Sequence, residues 1–139
     1  MIPVLKSISD LLCRAQVTVQ DVSKALGEVI GGGEQGVPVK VRPKDPALQD
    51  ARVVRDGESE VVSHVDLTPA SPFPMSDLIA AFGSYHAVPR STNPKKPPRV
   101  RFDVRPPGMA HSAAIYASYE EGDHNASDGT VIAVMIRRD

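Results

Sequence analysis

The sequence predicts an α+β fold, in which two tandem copies of an α-β-β-β unit form one antiparallel sheet with the helices on one face. Three observations predict it: short amphipathic helices that end at glycine, short segments of alternating apolar residues, and an internal repeat. A chain of 139 residues is long enough to bury one core. We therefore expect a single domain of two repeats, residues 1–68 with an additional N-terminal helix and residues 73–139.

Three segments have the apolar period of a helix. The first covers residues 4–15. The second begins after Thr18, which with Asp21 three residues later resembles a capping box, and it ends at Gly27. The third covers residues 75–82 and also stops before a glycine. Each helix has one apolar stripe, so each is expected to cover a sheet.

Alternation of apolar and polar residues predicts about six strands. The segments with this pattern are 37–42, 51–54, 61–67, 100–104, 113–119 and 131–136. The glycine-rich residues 31–36 and the proline-rich residues 68–74 and 89–98 are expected to be loops. Asp56-Gly57 predicts a hairpin between the second and third strands.

The internal repeat relates the two halves of the chain. Residues 21–27, Asp-Val-Ser-Lys-Ala-Leu-Gly, match residues 77–83, Asp-Leu-Ile-Ala-Ala-Phe-Gly. Val-Arg-Pro at 41–43 matches Val-Arg-Pro at 104–106, and the longer separation indicates a longer loop in the second copy. Two matches in the same order indicate two copies of one unit.

With the same number of residues between the copies as in the Val-Arg-Pro match, Ala51 falls on Ala114.

Two units side by side would expose one face of the shared sheet, which an antiparallel sheet tolerates if its outward residues are polar. Residues that suit such a face are Lys40, Arg42, Arg52, His64, Asp66, Arg101 and Asp103.

The two helix ends carry a further resemblance. The segment Asp21-Val22-x-x-Ala25-Leu26-Gly27 and its second copy resemble the helix-to-sheet turn of the β-lactamase inhibitor proteins and of the small outer-membrane assembly lipoproteins. The sequence lacks the disulfides of the inhibitors, the lipidated cysteine leader of the lipoproteins and the aromatic-rich sheet face of both. The resemblance implies a concave sheet that binds another protein, and it assigns no functional residue.

Composition narrows the classes of function. The formal net charge is −1, so no overall field attracts nucleic acid or an anionic membrane. Cys13 is the single cysteine, which excludes an intramolecular disulfide, and we expect it to be a core residue. The N-terminus lacks the pattern of a signal peptide and no apolar segment approaches the ~20 residues that span a bilayer. The sequence therefore favours a cytoplasmic protein.

Candidate cation and glycan sites are weak. Residues 123–129 resemble a calcium loop, but Asp128 stands where glycine is needed and Val134 where a bidentate glutamate is needed. Asn125-Ala126-Ser127 fits a glycosylation pattern that has meaning only in a secreted protein. We interpret both as parts of a polar loop.

The histidines and the charged residues allow one enzymatic alternative, a metal or acid–base site. His111 and His124 are the histidines that a sheet edge could bring together with Glu120 or Asp123, as a metal or acid–base site. An acidic cluster comprises Glu120, Glu121, Asp123 and Asp128. A basic cluster comprises Lys95, Lys96, Arg99, Arg101 and Arg105. Proteins that bind a nucleic-acid backbone combine such basic charge with aromatic side chains on which bases stack. The nearby aromatic residue, Phe102, is predicted to point into the core, so we interpret the basic cluster as solvated.

The sequence thus favours a non-enzymatic protein-binding module with one protein partner and no cofactor or metal, such as an inhibitor, immunity or adaptor protein of bacterial type. Arginine and tyrosine are enriched where interfaces hold their energy. The predicted contacts are Arg42, Arg52, Arg101, Arg105, Tyr85 and Tyr119. Three alternatives stay open: a small-ligand-binding domain with a pocket between helices and sheet, a metal-assisted enzyme around His111 and His124, and a homodimer paired through an edge strand.

Overall fold

Three α-helices form where the apolar periods predict them, in a computed structural model that describes residues 1–34, 36–90, 92–122 and 126–139. They are α1 (Ile2–Leu12), α2 (Val19–Leu26) and α3 (Met75–Phe82). No helix in these ranges is long and apolar enough to cross a membrane.

The capping box of α2 is confirmed. The backbone amide of Asp21 donates to Thr18 Oγ1 at 3.1 Å, and the amide of Thr18 donates to Asp21 Oδ2 at 3.0 Å. α2 and α3 are each followed by a glycine, and a different physical constraint requires glycine at each position. A Cβ on Gly27 would collide with the carbonyl oxygen of Arg42, whereas Gly83 has a φ of +84°, which side chains disfavour. Both helices therefore stop at the predicted residue.

The described strands number nine. They are β1 (Gly27–Gly31), β2 (Val39–Pro43), β3 (Leu48–Arg55), β4 (Val62–Pro69), β5 (Phe73–Pro74), β6 (His86–Ala87), β7 (Arg99–Val104), β8 (Ala113–Glu120) and β9 (Thr130–Arg138). Six of them, β2 to β4 and β7 to β9, correspond to the six predicted segments. β1, β5 and β6 were not predicted.

The strands form one sheet in the order β1-β2-β3-β4-β9-β8-β7-β6, and every pairing is antiparallel, with β5 joined separately to β9. Each half of the chain is a meander, and the two meanders meet where β4 pairs with β9. The predicted α+β class with an antiparallel sheet is confirmed. The first unit has one more strand than expected and the second has two, because β1 and β6 extend the sheet at its two edges and β5 pairs with β9.

Two rows of buried side chains cross β2 to β4 and β7 to β9 on the face toward the helices. The first row is Val39, Val53, Val65, Ile136, Ile115 and Phe102. The second row is Val41, Ala51, Leu67, Val134, Ala117 and Val100. Every member is at most 6% exposed. The rows run through the β4–β9 pairing without interruption, so the two units share one core.

The three helices cover this face. α2 lies against β1, β2 and β3, α3 lies against β5 and β7, and α1 contacts β8, β9 and both other helices. Arg138 fixes the end of α1, since its guanidinium donates to the carbonyls of Leu12 at 2.9 Å and Arg14 at 3.1 Å. These bonds satisfy carbonyls that a helix terminus leaves without partners.

Strand register tests the repeat residue by residue. Val41 pairs with Ala51 in the first unit, and Val104 pairs with Ala113 in the second. The match of Val41 with Val104 is therefore compatible with the sheet. The match of Ala51 with Ala114 is wrong by one residue, because Ala114 pairs with Asp103 and Arg137 on the opposite face.

Ile136→Ala should destabilise the protein by about 2–5 kcal/mol, because Ile136 is fully buried at the β4–β9 pairing and truncation leaves a cavity. Ile30→Ala is the matched control. Ile30 is 44% exposed on the edge strand β1, and its truncation should change stability by no more than about 0.5 kcal/mol. Denaturant unfolding measures both, and equal losses for the two variants would contradict the placement of the shared core.

Candidate functional site

The sheet face away from the helices is polar and uncovered by any described element. Its central row, in order across the sheet, is Lys40, Arg52, Asp66, Met135, Tyr116, Arg101 and His86. Neighbouring rows add Arg42, Asp50, Thr68, Ser118 and Arg99 on one side, and His64, Arg137, Ala114 and Asp103 on the other. We call this surface the open face. All seven residues predicted to point away from the core lie on it.

Tyr116 is the one tyrosine on the open face, and two arginines flank its ring. The Cζ of Arg99 lies 5.3 Å from the ring centroid and the Cζ of Arg101 lies 5.9 Å away. Both distances are within the range of cation–π attraction. The Tyr116 side chain is half-buried among its neighbours.

Arg101 is the most connected side chain of the open face. Its Nε donates to Asp103 Oδ1 at 2.9 Å and its Nη2 donates to Asp139 Oδ2 at 3.3 Å. The hydrogen bond to Asp103 is the main cause that raises the pKa of Arg101 above its usual value. Asp103 Oδ2 also lies 3.2 Å from His86 Nε2, so one carboxylate orients both a guanidinium and an imidazole.

Two other predicted arginines lie on the open face near the opposite edge. Arg42 pairs with Glu28 at 3.6 Å, and Arg52 pairs with Asp50 at 3.3 Å. Exposed pairs of this kind contribute about 0–1 kcal/mol to stability. These two ion pairs therefore add little to the stability of the fold. Arg105 is exposed but lies past the end of β7, so it is not an outward residue of a paired strand.

The structure contradicts the prediction that Tyr85 and Tyr119 are exposed contacts. Tyr119 is 8% exposed and belongs to the core, since it continues the inward phase of Ala113, Ile115 and Ala117 along β8. Tyr85 is half-buried on the helix side, where its ring meets Phe102 edge-on at 6.0 Å. The open face instead carries Tyr116, Met135 and Arg137, which were not among the predicted contacts.

The other charged clusters do not form a site in the described ranges. His111 and Glu120 flank opposite ends of the eight-residue strand β8, so they do not converge. Residues 123–125, and with them His124 and the first three residues of the calcium-like loop, lie outside the described residues. Lys95 and Lys96 are exposed in their loop, as expected, and Glu121 forms an ion pair with Arg90. The described residues contain no group of three ligands that could hold a metal ion.

Comparison of the chain with protein-family models, with curated proteins and with solved structures found no match. The resemblance to the β-lactamase inhibitor proteins and the assembly lipoproteins therefore stays a prediction.

Cys13 should react slowly with a thiol reagent in the folded protein. It is fully buried, as predicted, and burial together with the nearby Asp10 carboxylate raises the pKa of its thiol. The raised pKa lowers the thiolate fraction at neutral and mildly alkaline pH. We expect 5,5′-dithiobis(2-nitrobenzoate) to react at least about a hundredfold faster in denaturant than in buffer at pH 8, a difference that follows the free energy of opening. A fast reaction in buffer would show that the end of α1 is not closed.

Proposed function

We propose that this chain is a non-enzymatic protein-binding module whose open face docks against one protein partner. The observation that carries the proposal is the cluster of Tyr116, Arg99, Arg101 and Met135 near the middle of a sheet face that no described element covers. Interface cores are enriched in tyrosine, arginine and methionine relative to the rest of a protein surface. This cluster unites all three on rigid strands.

Preorganisation supports this role for Tyr116 and Arg101. Binding costs less when contact side chains are already held in their bound rotamers. The guanidinium groups of Arg99 and Arg101 both lie over the Tyr116 ring, and Arg101 is held by two carboxylates, Asp103 and Asp139. Neither residue contributes to the core on the helix side. Their arrangement is therefore better explained by recognition than by folding.

Charge on the open face indicates the chemistry of the partner. Basic residues outnumber acidic ones, and Arg99 and Arg137 have no carboxylate in the ion pairs found among the described residues. Such a face complements a protein surface that carries acidic side chains. We therefore expect association to weaken as salt is added, since screening reduces attraction between exposed charges.

An inhibitor, immunity protein or adaptor is the class that we infer. Each engages one target through a preformed surface, which a nine-stranded sheet with one open face can supply. A buried, unpaired Cys13 is compatible with a reducing cytoplasm, which is our proposed compartment. The concave binding sheet that the helix-end resemblance implies is compatible with the same class.

The double variant Arg101→Ala/Tyr116→Ala should bind the partner at least about 30-fold more weakly, because both side chains have the character of interface hot spots. The partner is first recovered from native lysate with the wild-type protein and identified by mass spectrometry. Its affinity for each purified variant is then measured by calorimetry at two salt concentrations.

Arg14→Ala is the matched control, because its side chain is exposed at the end of α1 on the other side of the molecule. The control should bind like the wild type. Both variants should keep the wild-type unfolding midpoint within a few degrees, since the replaced residues lie outside the core. Equal affinity of the double variant and the wild type would refute binding through the open face.

A further inference from the structure

A second surface feature lies on the helix side of the sheet, away from the open face. A groove of about 570 Å³ opens between α2 and the first two strands. Ligand pockets occupy roughly 300–1,000 Å³ and combine apolar walls with a few polar groups. This groove has apolar walls from Val19, Val29 and Val39, and polar groups from Ser23, Lys24 and Arg55.

Arg55 is a mostly buried cation with unused hydrogen-bonding capacity. Its side chain is 21% exposed, and its Nη1 donates to Glu60 Oε1 at 2.9 Å. Its Nε is buried and has no hydrogen-bond partner among the described residues. Leaving such a donor unsatisfied costs about 1–3 kcal/mol or more for a charged group. An acceptor in the groove recovers this cost once the Arg55 side chain shifts to turn its Nε toward the groove.

Ser23 is a second polar group without a partner. It is 2% exposed on the groove side of α2, and its Oγ has no hydrogen-bond partner in the described part of the chain. Ser9, the other buried serine, satisfies its hydroxyl by donating to the Leu5 carbonyl one turn earlier in α1. Two buried polar groups without partners thus line one groove.

The repeat shows that these polar groups are specific to the first unit. Ser23 and Lys24 of α2 correspond to Ile79 and Ala80 of α3. At the same helix positions, the second unit therefore has apolar residues that pack or face solvent without needing partners. The second unit therefore indicates that packing of this helix does not require a buried hydroxyl at the position of Ser23.

The charged side chains in the groove indicate the charge of the ligand that fits it. Arg55 and Lys24 are cationic and Glu60 is anionic, which leaves one net positive charge. A monoanion would neutralise it, and a carboxylate accepts hydrogen bonds from a guanidinium in a matching planar geometry. The three valines offer an apolar wall that a free inorganic anion would not use.

We propose that this groove binds a small organic carboxylate with an apolar body. The carboxylate accepts hydrogen bonds from Arg55 and Lys24. The Ser23 hydroxyl turns about χ1 to donate to it, a change between staggered rotamers. The apolar body lies against Val29 and Val39. Val29 is 54% exposed in the free protein, so a bound ligand removes apolar surface from water. The site is separate from the open face and does not depend on the protein-binding proposal.

Phenylacetate tests the proposal, with the neutral phenylacetamide as the matched probe. Each is titrated to about 10 mM into full-length protein with labelled valine methyl groups, a range suited to a millimolar ligand of this size. Phenylacetate should shift the methyl signals of Val29 and Val39 in a saturable way. Phenylacetamide should bind at least about tenfold more weakly, because it lacks the charge-assisted hydrogen bonds.

Three variants separate binding from folding. Arg55→Gln should weaken phenylacetate binding at least about tenfold, whereas Arg42→Gln on the open face should leave it unchanged. Ser23→Ala should weaken it severalfold without lowering the unfolding midpoint, because it removes an unsatisfied buried hydroxyl. Absence of saturable shifts, equal binding of the amide, or wild-type affinity in Arg55→Gln would each overturn the proposal.

Discussion

The pairing of β4 with β9 is the interaction on which the rest of the structure depends. It joins two meanders that each bury one short helix on a few strands, which is too little apolar surface for independent stability. At the junction Val65 pairs with Ile136 and Leu67 pairs with Val134, and all four are nearly inaccessible to solvent. The two rows of the core thereby pass from one unit to the other, so the domain is expected to unfold as one cooperative body.

The same register decides which side chains reach a partner. Because side chains alternate along a strand, a slip of one residue between β4 and β9 would exchange the buried and exposed sets of a whole unit. The β4–β9 register places Met135 beside Asp66 in the central outward row, and the β8–β9 register places Tyr116 beside Met135. Core and open face are therefore consequences of the same strand registers, and the functional proposal rests on the same geometry as the fold.

Local chemistry explains what the sequence predicted well. Capping residues and terminal glycines act within a few residues, so Thr18, Gly27 and Gly83 indicated the helix ends. Alternation of apolar and polar residues indicated β2 to β4 and β7 to β9 and which of their side chains point inward. The same alternation predicts that Tyr119 points inward, because it lies four residues after the buried Ile115 on the same strand. The selection of Tyr119 as an exposed contact overlooked this signal, and Tyr116 has the opposite phase.

Other features depend on contacts that a single sequence does not display. β1 begins at Gly27, where α2 ends, and it ends in a glycine run, so its apolar residues resembled a loop. The strand forms because β2 pairs with it. Tyr85 lies between α3 and β6, outside the alternating segments, so no alternation pattern indicates which side of the sheet it faces. The groove requires Ser23 and Arg55, which are distant in sequence and meet only through the packing of α2 against the sheet edge.

The most direct test of the binding account is a methionine methyl spectrum of the protein with and without its partner. Met135 reports on the open face, fully buried Met75 on the core, and Met1 on the helix side. The account predicts that stoichiometric partner shifts or broadens the Met135 signal and leaves those of Met75 and Met1 in place. A complex in which Met1 responds and Met135 does not would place the interface on the helices and contradict the account.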